Sequence, residues 1–266
     1  MYENLLYETD NGVCRITLNR PQVYNALSRG LIKDITAAVE QAGADESVRV
    51  IVLTGAGDKA FCSGADLKDG MGGPTGQQGG GLSLGQSLRE GYHPMILAIR
   101  NVEKPVIARV NGVAAGAGCS LALACDVIVA ADEAYFSQIF INIGLMPDAG
   151  STFFLPRLIG SLKAFELCST GRRLYGPEAA NMGLVSRSVP MVELNDATNA
   201  VVAQYAQAPT KAIGLMKKVL NQSLYSSLEH QLEQEAENQD VLGKSTDAME
   251  GIGAFLMKRK ANFSGQ

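Results

Sequence analysis

Residues 111–126 read Asn111-Gly112-Val113-Ala114-Ala115-Gly116-Ala117-Gly118-Cys119-Ser120-Leu121-Ala122-Leu123-Ala124-Cys125-Asp126 and follow directly on the apolar run Val106–Val110. The pattern is that of a strand, a glycine turn and a buried helix. Gly112, Gly116 and Gly118 let the backbone turn sharply and approach a ligand, and the helix after them presents its unpaired N–H groups at the same place. Taken alone, the segment fits two roles equally: a site that holds a developing negative charge, or a tight strand-to-helix connection whose small residues serve packing. A second segment of the same kind, Phe61-Cys62-Ser63-Gly64-Ala65-Asp66-Leu67, follows a buried strand at 48–53 and the break Thr54-Gly55-Ala56-Gly57. Two such turns favour the first role.

Outward from these turns, strands and helices alternate. Residues 5–8 and 13–18 bracket Asp10-Asn11-Gly12 and read as a hairpin, ended by Asn19-Arg20-Pro21. Ser28 caps a helix whose apolar positions Leu31, Ile35, Ala38, Val39 and Ala42 share one face. Residues 70–85 carry eight glycines and one proline among polar residues, a composition that predicts a long flexible loop. A helix from about Pro94 turns Ile96, Ile99 and Val102 inward and ends at Pro105; residues 127–131 and 135–137 read as further strands. Strand and helix in alternation predict an α/β fold with a parallel sheet.

From Ser151 the spacing is helical, over 152–159, 162–169 and 177–182, with one short strand at 185–189. Helices at 194–208, 210–223, 228–242 and 246–258 follow. A soft boundary near 200 separates a core (1–200) from a C-terminal helical region (201–266), whose apolar faces need either the core or another subunit to cover them.

The 266 residues are enough for one large α/β domain, and 46% hydrophobic with 19% charged residues is the composition of an ordered soluble protein. Met1-Tyr2-Glu3-Asn4 shows no basic segment followed by an apolar one, which predicts no signal peptide, and no run is long enough for a membrane span. A net charge of −4 argues against a nucleic-acid partner. Cys14, Cys62, Cys119, Cys125 and Cys168 are odd in number and form no Cys-x-x-Cys pair with histidine partners, so they read as reduced, buried thiols of a cytoplasmic protein and not as a metal site.

The chain resembles the crotonase superfamily, the enoyl-CoA hydratase/isomerase family, over nearly its whole length. The resemblance is carried by Leu18-Asn19-Arg20-Pro21 with Asn25-Ala26-Leu27, by Ala60-Phe61-Cys62-Ser63-Gly64-Ala65-Asp66-Leu67, by residues 111–126, by Gly144-Leu145-Met146-Pro147-Asp148-Ala149-Gly150 with Leu155-Pro156-Arg157, and by Ala254-Phe255-Leu256 with Lys258-Arg259-Lys260 and Phe263. It implies a spiral of ββα turns, a C-terminal helical region that builds homotrimers or hexamers as dimers of trimers, and acyl-CoA thioesters as substrates. No separate cofactor is implied, coenzyme A being part of the substrate. The backbone N–H groups of Ala65 and Ala117 are implied as the pair that binds the thioester oxygen and stabilises an enolate; alanine at 117 stands where relatives commonly have glycine. Implied CoA contacts are Asp66, Leu67 and Lys68 on the first turn, Arg20 and Tyr24 at the entrance, and Lys258, within the chain or toward a neighbouring subunit; for Lys258 and its basic neighbours a helix C-terminus complementing its dipole is an equal reading.

Hydratases of this family use two glutamates, and this chain has Ser120 and Phe140 at the matching positions. Asp148 instead matches the acidic residue of several isomerases, including those acting on ring-epoxide phenylacetyl-CoA and dienoyl-CoA. Ile139, Phe140, Ile143 and Leu145 around it would raise its pKa by desolvation and make it a proton shuttle near neutral pH; its other reading is an N-cap for the helix at 150–151. His93 with Asp148 resembles 4-chlorobenzoyl-CoA dehalogenase, in which the aspartate is a nucleophile and the histidine activates water. Pro94 should push His93 out of the helix toward an N-cap or loop. Pro74-Thr75-Gly76 and Tyr92-x-Pro94 resemble the ring-epoxide isomerase branch. The expectation is an isomerase, with a hydratase-type lyase, a dehalogenase-like hydrolase and a non-catalytic CoA-binding protein as alternatives.

Overall fold

The Asn11-Gly12 turn, both residues at positive φ (49° and 80°), folds strand β1 (Leu5–Asp10) back on β2 (Val13–Leu18) as a two-residue hairpin. The computed structural model describes residues 2–70 and 83–266; the glycine-rich stretch at 71–82, with Pro74-Thr75-Gly76, lies outside the described residues. The remaining strands are β3 (Val50–Gly55), β4 (Ala60–Cys62), β5 (Val106–Val110), β6 (Val113–Ala115), β7 (Val127–Ala131), β8 (Tyr135–Ser137), β9 (Leu174–Tyr175) and β10 (Arg187–Val189). The helices in chain order are α1 (Arg29–Ala44), α2 (Leu67–Gly70), α3 (Leu84–Ser87), α4 (His93–Asn101), α5 (Ala117–Leu123), α6 (Ser151–Thr170), α7 (Gly176–Asn181), α8 (Leu194–Ala206), α9 (Thr210–Ser223), α10 (Leu228–Leu242) and α11 (Thr246–Leu256).

The strands sort into two sheets rather than one. The larger runs β1-β2-β3-β5-β7-β10 and is parallel beyond the hairpin; the smaller runs β4-β6-β8-β9, parallel except for its last pair. From β3 onward each successive pair of strands therefore gives one strand to each sheet, with helices making the returns. Val50, Ile51, Val52 and Leu53 are all buried, as expected where a parallel strand is covered on both faces. Ser28 accepts a hydrogen bond from Leu31 N–H at the start of α1, which buries Leu31, Ile32, Ile35, Ala38, Val39 and Ala42. Both capping and apolar face agree with the spacing.

Two asparagines staple the loops that leave the sheets. Asn25, fully buried at φ 56°, receives a bond from Arg20 N–H at 3.0 Å and donates to the carbonyls of Ala56 and Ala60 at 3.1 and 2.9 Å. Asn111 donates to the carbonyls of Gly55 and Gly57 at 3.0 and 2.8 Å. These bonds satisfy carbonyls that the switch between sheets would otherwise orphan.

Helix α6 is broken at Gly160 (φ 77°, ψ 160°), which divides it into the two segments that the apolar spacing distinguishes. Position 200 lies within α8, which packs on β3, β5 and β7. The following helix, α9, is pinned by Lys217, whose buried Nζ lies 2.8 Å from Asp126 Oδ2 and donates to the carbonyls of Ile99 and Lys104 at 2.8 and 3.1 Å. Lys217→Met leaves the two carbonyls without this donor, while Asp126 keeps the Val106 N–H at 2.8 Å and Arg100 at 3.5 Å, so the substitution is expected to cost about 1–3 kcal/mol of stability in urea unfolding. Among the described residues no helix is long and apolar enough to cross a membrane.

Candidate active site

The end of β4 and the start of α5 converge. Gly64, at φ 105°, turns the chain after Cys62 so closely that a Cβ on it would lie 2.8 Å from the carbonyl oxygen of Ala115 and 3.6 Å from the nitrogen of Ala117. Leu27 N–H donates to Gly64 O at 2.8 Å and Asp66 N–H to Leu27 O at 3.0 Å. That alternation turns the intervening Ala65 N–H away from Leu27. Gly116, at φ 53° and ψ −128°, delivers the chain into α5 with Ala117 as its first residue, and Gly118 packs against Cys62 with no room for a side chain. Among the described residues neither Ala65 N–H nor Ala117 N–H donates to a protein acceptor. Ala117 is not among the residues of positive φ, so the alanine Cβ adds no strain to a helical first turn.

Both alanines line a cavity of about 440 Å3 together with Asp66, Leu67, Leu84, Leu88, Tyr92, His93, Phe140, Ile143, Leu145 and Asp148. Of the apolar residues expected around Asp148, Ile139 alone does not line it. Burial pushes the Asp148 carboxyl up from its ordinary 3.8 to about 6. Its Oδ1 is buried without a hydrogen-bond partner among the described residues. The N-cap reading is not realised: Gly150, at φ 89°, caps α6 with no side-chain bond. A carboxylate that lines the same cavity as two unpaired N–H groups, with no cap or salt-bridge partner among the described residues, is chemically available for proton transfer.

Asp66 lines the same cavity but is engaged. Burial raises its carboxyl, and the Arg20 guanidinium 2.8 Å away with the N–H groups of Lys68 and Asp69 outweighs that and holds it below its usual range. Arg20 thus reaches the site through Asp66. Tyr24, Lys68 and Lys258 are exposed and do not line the cavity; Tyr24 holds the Ser63 N–H at 3.0 Å, and Lys258 follows the last turn of α11 at φ 53°. The structure therefore brings Ala65, Asp66, Leu67, His93, Ala117 and Asp148 together, and leaves Tyr24, Lys68 and Lys258 outside.

The expectation that Pro94 displaces His93 from the helix is corrected. His93 is helical (φ −62°, ψ −48°), and its N–H donates to Leu88 O, five residues back, so that α3, a π turn over Leu88–Tyr92 and α4 form one continuous helix. The wider turn accommodates a proline ring that would collide with the carbonyl of an ordinary α turn. One consequence is that Tyr92, which spacing does not single out, enters the cavity wall; burial first, then the Asp148 charge, raises its phenol above the ordinary value of 10.0.

Cys62 and Cys119 are fully buried, and burial pushes each thiol up to about 12. Both are packing residues at neutral pH, without thiolate character. All five cysteines are unpaired, and among the described residues no group of three or more metal-ligating side chains occurs.

A sequence model described as enoyl-CoA hydratase/isomerase matches residues 8–266. The chain is 44% identical over 265 residues to a Rhodobacter capsulatus protein named as a probable enoyl-CoA hydratase, covering 100% of this chain and 99% of the other. It is 37% identical to the 1,2-epoxyphenylacetyl-CoA isomerase of Escherichia coli, covering 100% of both. The crystal structure of an enoyl-CoA hydratase from Bacillus anthracis superposes with a TM-score of 0.90 at 32% identity, over 99% of this chain and 100% of that one.

Proposed function

The chain belongs to the enoyl-CoA hydratase/isomerase family, and from that premise we propose that it is an acyl-CoA isomerase in which Asp148 moves the proton. The observation that carries this reading is the count of usable carboxylates. Asp66 and Asp148 are the carboxylates lining the cavity among the described residues, and Asp66 is committed to Arg20. Water addition across a double bond calls on a base for the water and an acid for the α carbon, whereas an allylic shift needs one group that takes a proton and gives it back.

In this reading the thioester oxygen accepts hydrogen bonds from Ala65 and Ala117 N–H. Asp148 removes a proton from the carbon next to the thioester, the electron pair delocalises onto that oxygen, and the same carboxyl returns the proton farther along the acyl chain. Each N–H of such a pair lowers the barrier by about 2.7–4 kcal/mol. The apolar wall of Phe140, Ile143 and Leu145 keeps the carboxylate poorly solvated and basic. Asp66, Leu67, Lys68, Arg20 and Tyr24 lie on the side of the first turn and are proposed as the CoA entrance, with coenzyme A arriving as part of the substrate.

The test is rearrangement of 3-enoyl-CoA and of ring-epoxide phenylacetyl-CoA by the purified protein across pH. Asp148 must be ionised to act, so kcat/KM is expected to rise as pH climbs through about 6 and level off above it. A flat profile from about pH 5 to 7.5, the range that spans that midpoint, or no turnover of either thioester, would contradict the reading. The similarity to the 1,2-epoxyphenylacetyl-CoA isomerase supports aromatic-acid degradation as the setting.

One observation favours a second reading: His93 lines the cavity with Asp148, which fits an aspartate nucleophile and a water-activating histidine. Halide release from 4-chlorobenzoyl-CoA with an acyl adduct on Asp148, seen by mass spectrometry, would establish it.

A homotrimer or a dimer of trimers is proposed as the assembly. Leu162 and Phe165 on α6, and Phe255 and Leu256 on α11, are each more than 70% exposed on the single chain, more apolar side chain than an isolated subunit usually leaves wet. Light scattering is expected to give a mass of three or six chains; a monomer would contradict the proposal.

A further inference from the structure

Ser120 is legible in the sequence only as a missing glutamate, yet its hydroxyl is fully buried and fully engaged. Its Oγ donates to the backbone carbonyl of Asp148 at 2.9 Å and lies 2.7 Å from Ser151 Oγ. Ser151 Oγ in turn receives a bond from Gln138 Nε2 at 2.9 Å. All three residues are at most 2% exposed. With one hydrogen per hydroxyl, the Gln138 amide donates to Ser151, Ser151 to Ser120, and Ser120 to the Asp148 carbonyl at 2.9 Å, which is nearer than its other acceptor, the Gly116 carbonyl at 3.3 Å.

The three residues come from three elements. Ser120 is on α5, the helix that begins with Ala117; Ser151 is the first residue of α6, just after the Asp148 turn; Gln138 follows β8 of the small sheet. The backbone they hold is strained at Ala149, which sits at φ 48° and is buried with no freedom to relax into solvent; Gly150 beside it takes φ 89° as glycine freely does. A Cβ on Gly150 would lie 2.6 Å from Phe154 Cε2, so that turn has little room to move.

We propose that Gln138, Ser151 and Ser120 form a positioning relay that locks the Asp148 turn in register with α5, so that the proton shuttle keeps a set place relative to the Ala117 N–H. The relay rests on the reading of Asp148 as shuttle. The serine that stands in place of a second carboxylate thereby ties the oxygen-binding half of the site to the proton-moving half. None of the three side chains lines the cavity, so they act through Asp148 and not on substrate.

The test uses the full chain and reads both turnover and the Asp148 titration, followed by NMR of aspartate-13C-labelled protein. The titratable groups lining the cavity with Asp148 are Asp66, Tyr92 and His93, and all stay in place in the variants. Ser120→Ala is expected to lower kcat about tenfold to a hundredfold at nearly unchanged KM and to move the Asp148 midpoint away from about 6. Adding Ser151→Ala to it should cost little more, because the relay is already cut. Gln138→Met cuts the far end and should give the same shift in smaller measure. Unchanged kcat and midpoint in both Ser120→Ala and Gln138→Met, or losses that multiply in the double variant, would overturn the relay. A moved midpoint together with a fully active Asp148→Asn would uphold the relay and sink the shuttle. An inactive Asp148→Asn beside unperturbed Ser120→Ala and Gln138→Met would sink the relay alone.

Discussion

Asp148→Asn is expected to lower kcat for 3-enoyl-CoA rearrangement by about 100- to 10,000-fold, the range that positioned general acid–base catalysis supplies, while KM changes little. The asparagine fills the same space but its neutral amide is not basic enough to take a proton from carbon. The substitution should also make the protein more stable above pH 6. The folded-state pKa of Asp148 is raised from 3.8 to about 6 by burial. At pH below 3.8 the carboxyl is neutral in both folded and unfolded chains and costs nothing. Between 3.8 and 6 the unfolded chain gives up the proton more readily than the folded one, so stability falls as pH rises and the loss is complete above 6. Thermal melts should therefore show Asp148→Asn above wild type at about pH 7.5, with the gap closing near about pH 4. A loss of activity coupled to a gain of stability is the mark of a group kept at a cost for chemistry. Equal melting temperatures at both pH values would mean that Asp148 is not desolvated as described.

The second large effect is expected from Gly64→Ala. The residue combines φ 105° with a would-be Cβ contact of 2.8 Å to Ala115 O, so an alanine must move the very turn that aims Ala65 N–H. Losing one oxyanion donor costs about 100- to 1,000-fold in kcat, and the strained backbone adds about 1–3 kcal/mol of destabilisation. Gly160→Ala is the matched control. Its φ of 77° is also positive, nothing lies within 4 Å of its Cβ position, and neither it nor its chain neighbours line the cavity. It should lose comparable stability and keep kcat. If both variants lost activity alike, the effect of Gly64 would be on folding and not on the thioester oxygen.

Elements with long apolar periodicity are legible in the sequence to the residue or nearly so: α1 with its Ser28 cap, β5, α9 and α10 stand where spacing puts them. The second sheet is legible only in part. β8 stands at 135–137, where a strand is expected, but β4 (Ala60-Phe61-Cys62) and β6 (Val113-Ala114-Ala115) are three residues each beside glycine turns and read as parts of those turns, because no alternation can register over so short a run. Their pairing is set by the asparagine staples and glycine contacts across the chain, which have no local signature. The same limit applies in the site. Motif alone identifies Asp148 and the two alanines, but the ion pair that takes Asp66 out of play spans 46 residues and the Ser120 relay joins residues up to 31 apart. His93 defeats the local rule for a residue before proline because a π turn upstream absorbs the ring. Tyr92 carries only a resemblance in the sequence, and the helix geometry is what brings it to the cavity.

In the proposed reading a single working carboxylate, rather than two, favours rearrangement over hydration, and one measurement addresses it directly. Wild-type enzyme is incubated separately with matched 3-enoyl-CoA and 2-enoyl-CoA of equal chain length, and products are quantified by chromatography that separates the isomeric thioesters, followed by mass: rearrangement gives a new peak of unchanged mass, and hydration adds one water. The expected result is rapid conversion of the 3-enoyl to the 2-enoyl thioester, with hydration of the 2-enoyl thioester slower by about 100-fold or more, the factor that a missing acid–base partner costs. Hydration as fast as rearrangement, or faster, would contradict a one-carboxylate isomerase.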